Sequence, residues 1–580
     1  MKSVLRFLKP VHWALIAVMA VFISLQVWFD LEIPGYMAEI TVLLNDGSEA
    51  SAIAEQGYAM ILCSVGSVAC SVIAGGIAAY VAAEFAKSLR KAQFSKVQSF
   101  SPEEMGRFDI YSLITRSTND VTQVQMAVAR TSQLVVKVPV MVYIALSKVT
   151  AGSMEWTEVT AVGIILIIIV QTFSIGYVIP RYRRVQKFTD GVNRTIREGL
   201  TGVRVVRAFN AEEYQNRKAD AANDELTENN LFASRLLAFT RPFNGVVQNI
   251  LTVAIYILGA GIIMNASSGD EALDVFSNMV VYSSYVLYVV SSFILLAHIA
   301  MGLPRALVSA RRIREVIDTE TVVRNGNRTD VPESDVRISV KDASFRYPGS
   351  PADAITGITF EVRRGETVAI TGQTGCGKTS LVNLIPRLFD ATSGTVEVDG
   401  VDVRDYDLDT LRSRIGYATQ KPILFSGTAR FNIGYGRRDA TDEEMMDAAR
   451  VACLDGFLES NNGLDAEINQ RGANLSGGQK QRMSIARAVC KRPGIYIFDD
   501  TFSALDFKTD SQVRRNLSAV TEGAAVVIVS QRIGTIANAD RIVVLADGRM
   551  VGYGTHSELL RTCDIYREMA EIQEYAEEDA

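Results

Sequence analysis

A run of eight residues in the second half of the chain has the composition and spacing of a loop that holds phosphate groups. It follows an apolar segment predicted as a strand, 367–371, and reads Gly372-Gln373-Thr374-Gly375-Cys376-Gly377-Lys378-Thr379. In the pattern G-x-x-x-x-G-K-[ST], the glycines let backbone N–H groups turn towards phosphate, Lys378 reaches the β and γ phosphates, and Thr379 coordinates Mg²⁺. A helix that begins at the lysine adds the positive end of its dipole. These residues, together with Ser380, form the predicted ATP-binding loop.

A second apolar segment supplies the carboxylate that such a site requires. The segment 495–498 is apolar throughout, as expected for a strand buried in a parallel sheet, and Asp499 follows it directly. In ATPases with this loop, an aspartate of this kind holds Mg²⁺ against the phosphates. ATP and Mg²⁺ are therefore the predicted ligands, with Thr379 and Asp499 as metal-binding side chains.

A short string between these two segments narrows the class of ATPase. Leu475-Ser476-Gly477-Gly478-Gln479 resembles the signature of ABC ATPases. The resemblance implies that Tyr347 stacks on adenine and that Gln420 is the Q-loop glutamine, which belongs with both the catalytic and the metal-binding residues. It also identifies the D-loop as Ser503-Ala504-Leu505-Asp506.

Apolar segments in the first half extend the resemblance to the whole chain, which looks like a type IV ABC exporter half of the kind found in bacterial multidrug and lipid exporters. The resemblance implies that two halves dimerise, with each ATP between the phosphate loop of one half and the signature of the other. Closure of the ATPase domains would turn the membrane helices from inward-facing to outward-facing. Coupling helices that transmit this motion are expected near 103–109 and 206–213.

Two residues of the predicted reaction centre depart from the family pattern. The residue after the Mg²⁺ aspartate, normally Glu, is Asp500, and the histidine of an A-H-R string is replaced in Ser530-Gln531-Arg532. Asp is shorter than Glu by one methylene, and a displacement of about 1 Å can cost about 10²-fold in a positioned reaction. Gln is uncharged, so it cannot place positive charge on a phosphate. Asp500, Gln531 and Gln420 are the predicted catalytic residues, with tight ATP binding and slow hydrolysis expected.

The intact signature predicts a partner that differs from this chain. By the resemblance, Ser476, Gly477 and Gln479 serve the ATP held by the other subunit. An identical partner would repeat Asp500 and Gln531, so both sites would be weak. We therefore expect a heterodimer with a second exporter half that supplies the missing Glu and His. A homodimer in which Asp500 acts as the base is the alternative.

The predicted strands and helices that carry the ATP-binding residues follow a predicted membrane domain. The chain has 580 residues, of which 48% are hydrophobic, and these concentrate in roughly the first 300. A helix of about 20 apolar residues can cross a bilayer. Six such spans are predicted, at about 11–34, 56–83, 131–150, 158–179, 243–265 and 275–302.

Basic residues set the expected topology. Lys and Arg flank the predicted spans at 2–9, 90–91 and 181–187, and such flanks are typically cytoplasmic. Both termini of this multi-pass protein of the cytoplasmic membrane are therefore expected inside. The predicted fold is an α-helical six-span membrane domain (1–318), a linker (319–335) and an α/β P-loop ABC ATPase domain (336–580).

Composition and motifs exclude several classes of function. A net charge of -6 without a basic stripe argues against a nucleic-acid binder, and the six cysteines lack metal-site spacing. The favoured function is export of hydrophobic or amphipathic small molecules, in contact with membrane lipid and a second half. Import of siderophores or vitamins by an exporter fold, and an ATP-gated regulator, are the alternatives.

Overall fold

A computed structural model describes residues 6–150, 154–266 and 268–578. The chain forms two compact units: a helical unit, Met1–Gln98 with Ile110–Thr319, and an α/β unit, Ser99–Asp109 with Glu320–Ala580. The predicted domain limits of 318 and 336 differ from this division in two ways. The segment predicted as a linker lies within the α/β unit, and so does the short segment 99–109 from the membrane half of the sequence.

Long helices dominate the first half of the chain. In order, the helices there are α1 (Pro10–Asn45), α2 (Ala50–Gln98), α3 (Pro102–Arg107), α4 (Ile110–Thr115), α5 (Val121–Thr150), α6 (Met154–Thr201), α7 (Val203–Ala208), α8 (Glu212–Met264) and α9 (Gly269–Asp318). A π-helical turn, Arg116–Asp120, joins α4 to α5. The short helices α3 and α7 occupy the two regions where coupling helices were expected, with α7 a few residues earlier than predicted.

Among the described residues, five helical segments are long and apolar enough to cross a membrane. They are Pro10–Asn45, Ala50–Gln98, Ile110–Thr150, Pro242–Met264 and Gly269–Leu296. The span predicted at 158–179 falls within α6, where the described apolar stretch is the shorter Trp156–Val170. The fold class of a helical membrane domain followed by an α/β ATPase domain is confirmed, with five of the six predicted spans found by this measure.

Charged groups lie within the apolar packing of the helical unit. Glu32 of α1 and Lys148 of α5 form an ion pair at 2.7 Å, and both side chains are largely covered. The Tyr285 hydroxyl of α9 donates a hydrogen bond to the Leu31 carbonyl at 3.1 Å, and its ring lies 5.9 Å from the Lys148 ammonium group. Three helices are therefore joined by one polar cluster that the sequence reading did not predict.

The described residues of the α/β unit form three sheets. The strands are β1 (Val336–Phe345), β2 (Ile355–Arg363), β3 (Thr367–Gly372), β4 (Ser393–Val398), β5 (Val401–Asp402), β6 (Ile415–Ala418), β7 (Gly427–Thr428), β8 (Glu467–Ile468), β9 (Ile495–Asp499), β10 (Ala525–Val529), β11 (Arg541–Ala546) and β12 (Arg549–Gly554). The six-stranded sheet has the order β12-β11-β3-β10-β9-β6, and a four-stranded sheet has the order β2-β1-β4-β5. The pair β7-β8 forms the third sheet.

Helices surround these sheets. They are α10 (Lys378–Leu384), α11 (Leu408–Ser413), α12 (Ala429–Ile433), α13 (Asp442–Val451), α14 (Asp455–Glu459), α15 (Gly477–Cys490), α16 (Phe507–Val520), α17 (Ile533–Ile536), α18 (His556–Thr562) and α19 (Asp564–Glu578). Apolar strands such as 495–498 are buried on both faces, as expected for a covered parallel sheet.

The parallel strands of the large sheet bring distant segments to one edge. β3, β10, β9 and β6 are neighbours and run parallel. The phosphate loop, the segment 530–532, Asp499 and Gln420 lie at or just after their carboxyl ends, in that order across the sheet. Ligands of open α/β sheets bind at this edge, so the topology alone places the predicted site residues together.

Helix α3 is hydrogen-bonded to the beginning of the second segment of the α/β unit, which starts at Glu320. Ser101 is the N-cap of the helix, and its hydroxyl accepts a hydrogen bond from the Glu103 amide. One carboxylate oxygen of Glu104 accepts hydrogen bonds from the Ser101 amide and the Ser101 hydroxyl, each at 2.6 Å. The other Glu104 oxygen accepts from the Val322 amide at 2.6 Å. Glu104 is fully buried, and these donors satisfy a carboxylate that would otherwise be costly to bury.

Candidate nucleotide site

The phosphate loop connects β3 to α10. Lys378 begins the helix, and its ammonium group donates hydrogen bonds to the carbonyl oxygens of Gly372 and Gln373 at 2.7 and 2.8 Å. It also lies 3.7 Å from Cys376 Sγ, and the whole residue is buried. These three contacts are all neutral, so an anionic phosphate would supply the opposite charge that a buried cation favours.

All three glycines of the loop have a positive φ, which other residues rarely adopt, and at two of them a side chain would also clash. Gly372 has φ +142° and Gly377 has φ +102°. A Cβ atom at Gly372 would overlap the carbonyl oxygen of Leu545, and one at Gly377 would overlap Ile355 and Ala354. The loop can follow this tight path only because both positions lack a side chain.

Thr379 and Asp499 place two oxygen ligands side by side. The Thr379 hydroxyl donates to Asp499 Oδ1 at 3.1 Å. Mg²⁺ in proteins is commonly bound by one or two such oxygens together with substrate phosphates and water. No cluster of three or more His, Cys, Asp or Glu among the described residues could hold a metal ion by itself. The donor set therefore fits a magnesium ion that arrives with a nucleotide, for which these two side chains would be protein ligands, and Gln420 stays a predicted third ligand.

Tyr417 of β6 contacts the same carboxylate. Its hydroxyl lies 2.8 Å from Asn383 Oδ1 and 3.3 Å from Asp499 Oδ2, so its single proton can be donated to either oxygen or shared between them. Burial raises the pKa of the Tyr417 phenol, and the negative charge of Asp499 raises it further. The phenol therefore stays protonated and remains a donor to the carboxylate.

Burial also raises the pKa of the Asp499 carboxyl. The hydrogen bonds from Thr379 and Tyr417 and the charge of Lys378 oppose this rise, whereas the charge of Asp500 adds to it. A divalent cation at this position would stabilise the ionised form, since bound cations are the largest local charges in such sites.

Asp500 and Gln420, two of the predicted catalytic residues, are in direct contact. Gln420 Nε2 donates to Asp500 Oδ2 at 3.1 Å. The Asp500 backbone has φ +49°, a left-handed conformation that Asp adopts more readily than most residues. Its amide donates to the Val529 carbonyl at 3.0 Å. The carboxylate is thereby fixed at the edge of the sheet.

Gln531 follows β10 and reaches the phosphate loop. Its Oε1 accepts from the Thr374 hydroxyl at 3.4 Å. The next residue, Arg532, donates to the carbonyl oxygens of Ser503 and Leu505 at 2.9 and 3.2 Å. Gln531 thus lies at the loop while its neighbour binds the D-loop.

Tyr347 lies beside the start of α10. Its hydroxyl is 2.9 Å from the Ser380 hydroxyl, and its ring makes edge contacts with Phe345 and Phe389 at 4.8 and 5.5 Å between centroids. The residue is 37% exposed, so part of its ring is accessible to a base.

The signature residues form the start of α15. Ser476 caps this helix by accepting from the Gln479 amide, while Gln479 Oε1 accepts from the Ser476 amide. Leu475 is buried, whereas Ser476 and Gly477 are exposed. A Cβ atom at Gly478 would lie 3.3 Å from the Ala504 carbonyl oxygen, so the missing side chain lets the D-loop pack here. Within the described part of the chain, no hydrogen bond joins the signature to the phosphate loop.

Sequence reasoning missed several residues that touch the site. Tyr417 could have been noticed as a polar aromatic residue near the carboxyl end of a buried strand. Asn383 on α10 and Gln573 on α19, which binds the segment after β10, have no local pattern that marks them.

Comparison with known proteins gives two family matches. Residues 16–293 match the family described as the ABC transporter transmembrane region, and residues 355–503 match the family described as ABC transporter. Together the matched segments include the phosphate loop, the signature and Asp499 and Asp500.

Similar proteins extend over nearly the whole chain. An uncharacterized ABC transporter ATP-binding protein of Mycobacterium tuberculosis is 37% identical over 94% of this chain and 93% of its own length. An ATP-dependent lipid A-core flippase of Syntrophus aciditrophicus is 29% identical over 89% and 85%. The solved structure of a bacterial Atm1-family ABC exporter with ATP bound has the same fold, with a TM-score of 0.81 at 21% identity over 97% and 99% of the chains.

Proposed function

The chain belongs to the ABC transporter family, and on this premise we propose that it is the degenerate-site subunit of a heterodimeric ATP-driven exporter. Its own site would hold ATP and Mg²⁺ and hydrolyse ATP slowly, while its signature completes the active site of a different half-transporter. The substrates would be hydrophobic or amphipathic small molecules that leave through the cytoplasmic membrane. The lipid A-core flippase among the similar proteins supports an amphipathic substrate.

One observation carries this proposal: Asp500 and Gln531 stand in place of the expected Glu and His, beside side chains of the types expected to bind ATP and Mg²⁺. The contacts of Lys378 with a loop carbonyl and of Thr379 with Asp499 support the assignment of these three residues to phosphate and Mg²⁺ binding. In this proposal the side chains assigned to ATP binding are present, whereas Asp500 and Gln531 replace the Glu and His expected to act on the attacking water and the γ-phosphate.

The geometry explains why hydrolysis would be slow. The short Asp500 side chain is hydrogen-bonded to Gln420, so its carboxylate stays near the Q-loop unless that bond opens. The Gln531 amide can donate to a phosphate oxygen but carries no charge. Loss of one electrostatic contact to a developing charge typically costs about 10²–10³-fold in rate, and a displaced base adds about 10²-fold.

The exposed start of α15 supports the proposal that the signature of this chain completes the ATP site of a partner. Helix N-termini bind anions through free amides and the helix dipole, and Ser476 and Gly477 are accessible there. A homodimer would combine two intact signatures with two weakened centres. A heterodimer would leave one complete centre, formed by this signature and a partner phosphate loop with Glu and His.

The experiment compares ATPase rates of the purified chain alone and of the chain with a candidate partner half encoded next to it. Each preparation is repeated with Asp500→Ala, and the pair also with Ser476→Ala. We expect a nearly inactive single chain and an active pair that Ser476→Ala stops and Asp500→Ala barely affects. Brisk hydrolysis by the chain alone, abolished by Asp500→Ala, would show instead a homodimer with Asp500 as its base.

A further inference from the structure

The side chain of Gln573 on α19 binds the segment around Gln531 at two points. Its Nε2 donates to the Gln531 carbonyl at 2.8 Å, and its Oε1 accepts from the Ile533 amide at 2.7 Å. One planar carboxamide therefore fixes two backbone groups that flank Arg532. Both the NH₂ group and the oxygen of the Gln573 carboxamide form hydrogen bonds, so the two contacts set the orientation of the carboxamide relative to the backbone of residues 531–533.

The same segment is held on its other side by the central sheet. The Ser530 amide donates to the Ile370 carbonyl of β3 at 3.2 Å, and the Ser530 hydroxyl accepts from the Arg532 amide at 3.0 Å. Gln531 lies between these fixed points, with its side chain directed to Thr374. The position of its amide group thus depends on β3 from one side and on α19 from the other.

Helix α19 is itself well anchored. Tyr566 is completely buried, and its hydroxyl lies 2.8 Å from His556 Nδ1. It shares an apolar cluster with Ile533, Ile536 and Leu559. The cluster joins α19 to α17, the helix that follows Gln531, so Gln573 belongs to a helix that packs against this segment.

We propose that Gln573 is a positioning residue for the nucleotide site: it holds the Gln531 backbone so that the Gln531 amide reaches the γ-phosphate of ATP. This inference rests on the proposed function, in which Gln531 occupies the place of the γ-phosphate histidine. Because ADP lacks that phosphate, loss of the positioning should weaken the binding of ATP analogues and leave ADP unchanged. A purely structural role would weaken both nucleotides alike or neither.

The test measures dissociation constants of ADP and of a non-hydrolysable ATP analogue for the full chain in nanodiscs with Mg²⁺. The variants are Gln573→Ala, Gln573→Glu, Gln531→Ala and the double variant Gln531→Ala with Gln573→Ala. Gln573→Glu keeps the acceptor for Ile533 and loses the donor to Gln531, so it tests the contact with little change in shape. Glu571→Ala, an exposed change on the same helix, is the matched control.

We expect Gln531→Ala to lower the analogue-to-ADP affinity ratio about tenfold, the size of one hydrogen bond to a charged group. Both Gln573 variants should lower this ratio at least threefold, with no further loss in the double variant, since contacts in one network are not additive. Glu571→Ala should change nothing.

Two results would overturn the inference, and they differ. If Gln531→Ala lowers the ratio and neither Gln573 variant does, Gln573 is not a positioning residue and the proposed function is unaffected. If Gln531→Ala leaves the ratio unchanged, the assumed role of Gln531 in the proposed function fails as well.

Discussion

Gln420 donates a hydrogen bond to Asp500 across 3.1 Å, so the predicted Q-loop glutamine and the predicted base are in direct contact. A longer acid at this position would extend its carboxylate further from the backbone. The bond therefore gives the shorter Asp a defined partner, and it suggests how the reaction centre would respond to substitution.

Asp500→Glu should increase hydrolysis at this site. The added methylene extends the carboxylate by about 1 Å, and positioning of this kind is worth about 10²-fold. We expect the phosphate release rate of the chain alone to rise at least tenfold, and to rise further when Gln531→His is added. Asp500→Asn, which keeps the length and removes the charge, is the control and should not increase the rate. An unchanged rate for both longer-acid variants would mean that Asp500 does not limit hydrolysis.

Thr379→Val should weaken the dependence of nucleotide binding on magnesium. The substitution keeps the volume of the side chain and removes the hydroxyl that lies 3.1 Å from Asp499. In the unchanged chain, Mg²⁺ should tighten ATP binding; in the variant this gain should fall about tenfold, the size of one lost contact to a charged group. The measurement is ATP affinity with Mg²⁺ and with a chelator. Tyr417→Phe is the control, because it removes a neighbouring hydroxyl that is not a predicted metal ligand. This variant should keep most of the increase in ATP affinity that Mg²⁺ produces.

Glu104→Gln should destabilise the α/β unit at neutral pH and not in acid. Burial tends to raise the pKa of Glu104, but the hydrogen bonds from Ser101 and Val322 outweigh it and hold the pKa below its ordinary value. A lowered pKa contributes stability above the unfolded value of about 4.3 and loses it as the pH falls through the folded value.

The measurement for Glu104→Gln is the thermal unfolding midpoint of the full chain from pH 7 to about pH 3, because the contribution of the carboxylate is lost as the pH falls below its unfolded pKa. At pH 7 the variant should lose about 1–3 kcal/mol, as for a buried charged group with its bonds removed. The difference in unfolding midpoint between the variant and the unchanged chain should become smaller as the pH falls. Glu103→Gln, which breaks the ion pair with the exposed Arg107, should change stability by less than about 1 kcal/mol. A pH-independent gap would contradict the prediction.

Lys148→Met should destabilise the helical unit more than the double change Lys148→Met with Glu32→Gln. Removing one partner leaves the other charge uncompensated within apolar packing, which costs about 3 kcal/mol or more for buried pairs. Removing both charges avoids this cost. The unfolding midpoints in one detergent provide the comparison. Equal midpoints for the single and double variants would show that the pair at 2.7 Å does not bind in the folded protein.

Site residues that belong to a local sequence motif could be predicted, whereas contacts between residues that are distant in the sequence could not. The phosphate loop, Asp499 and the signature each follow from a local pattern, because strand, loop and helix come in a fixed order. The contacts of Tyr417 with Asp499 and of Gln573 with Gln531 depend on which strands and helices become neighbours. Nothing in the local sequence specifies those neighbours, and the same holds for the pair of Glu32 and Lys148.

The bond from Val322 to Glu104 has a practical consequence for anyone who divides this protein. The ATPase half is not one continuous piece of chain, because Ser99–Asp109 is part of it. A fragment that starts at residue 320 would lose the carboxylate that pairs with the Val322 amide, together with the cap that Ser101 and Glu104 form. A soluble ATPase domain would therefore need this eleven-residue segment restored, by fusion or as an added peptide, to have the same surface as the intact protein.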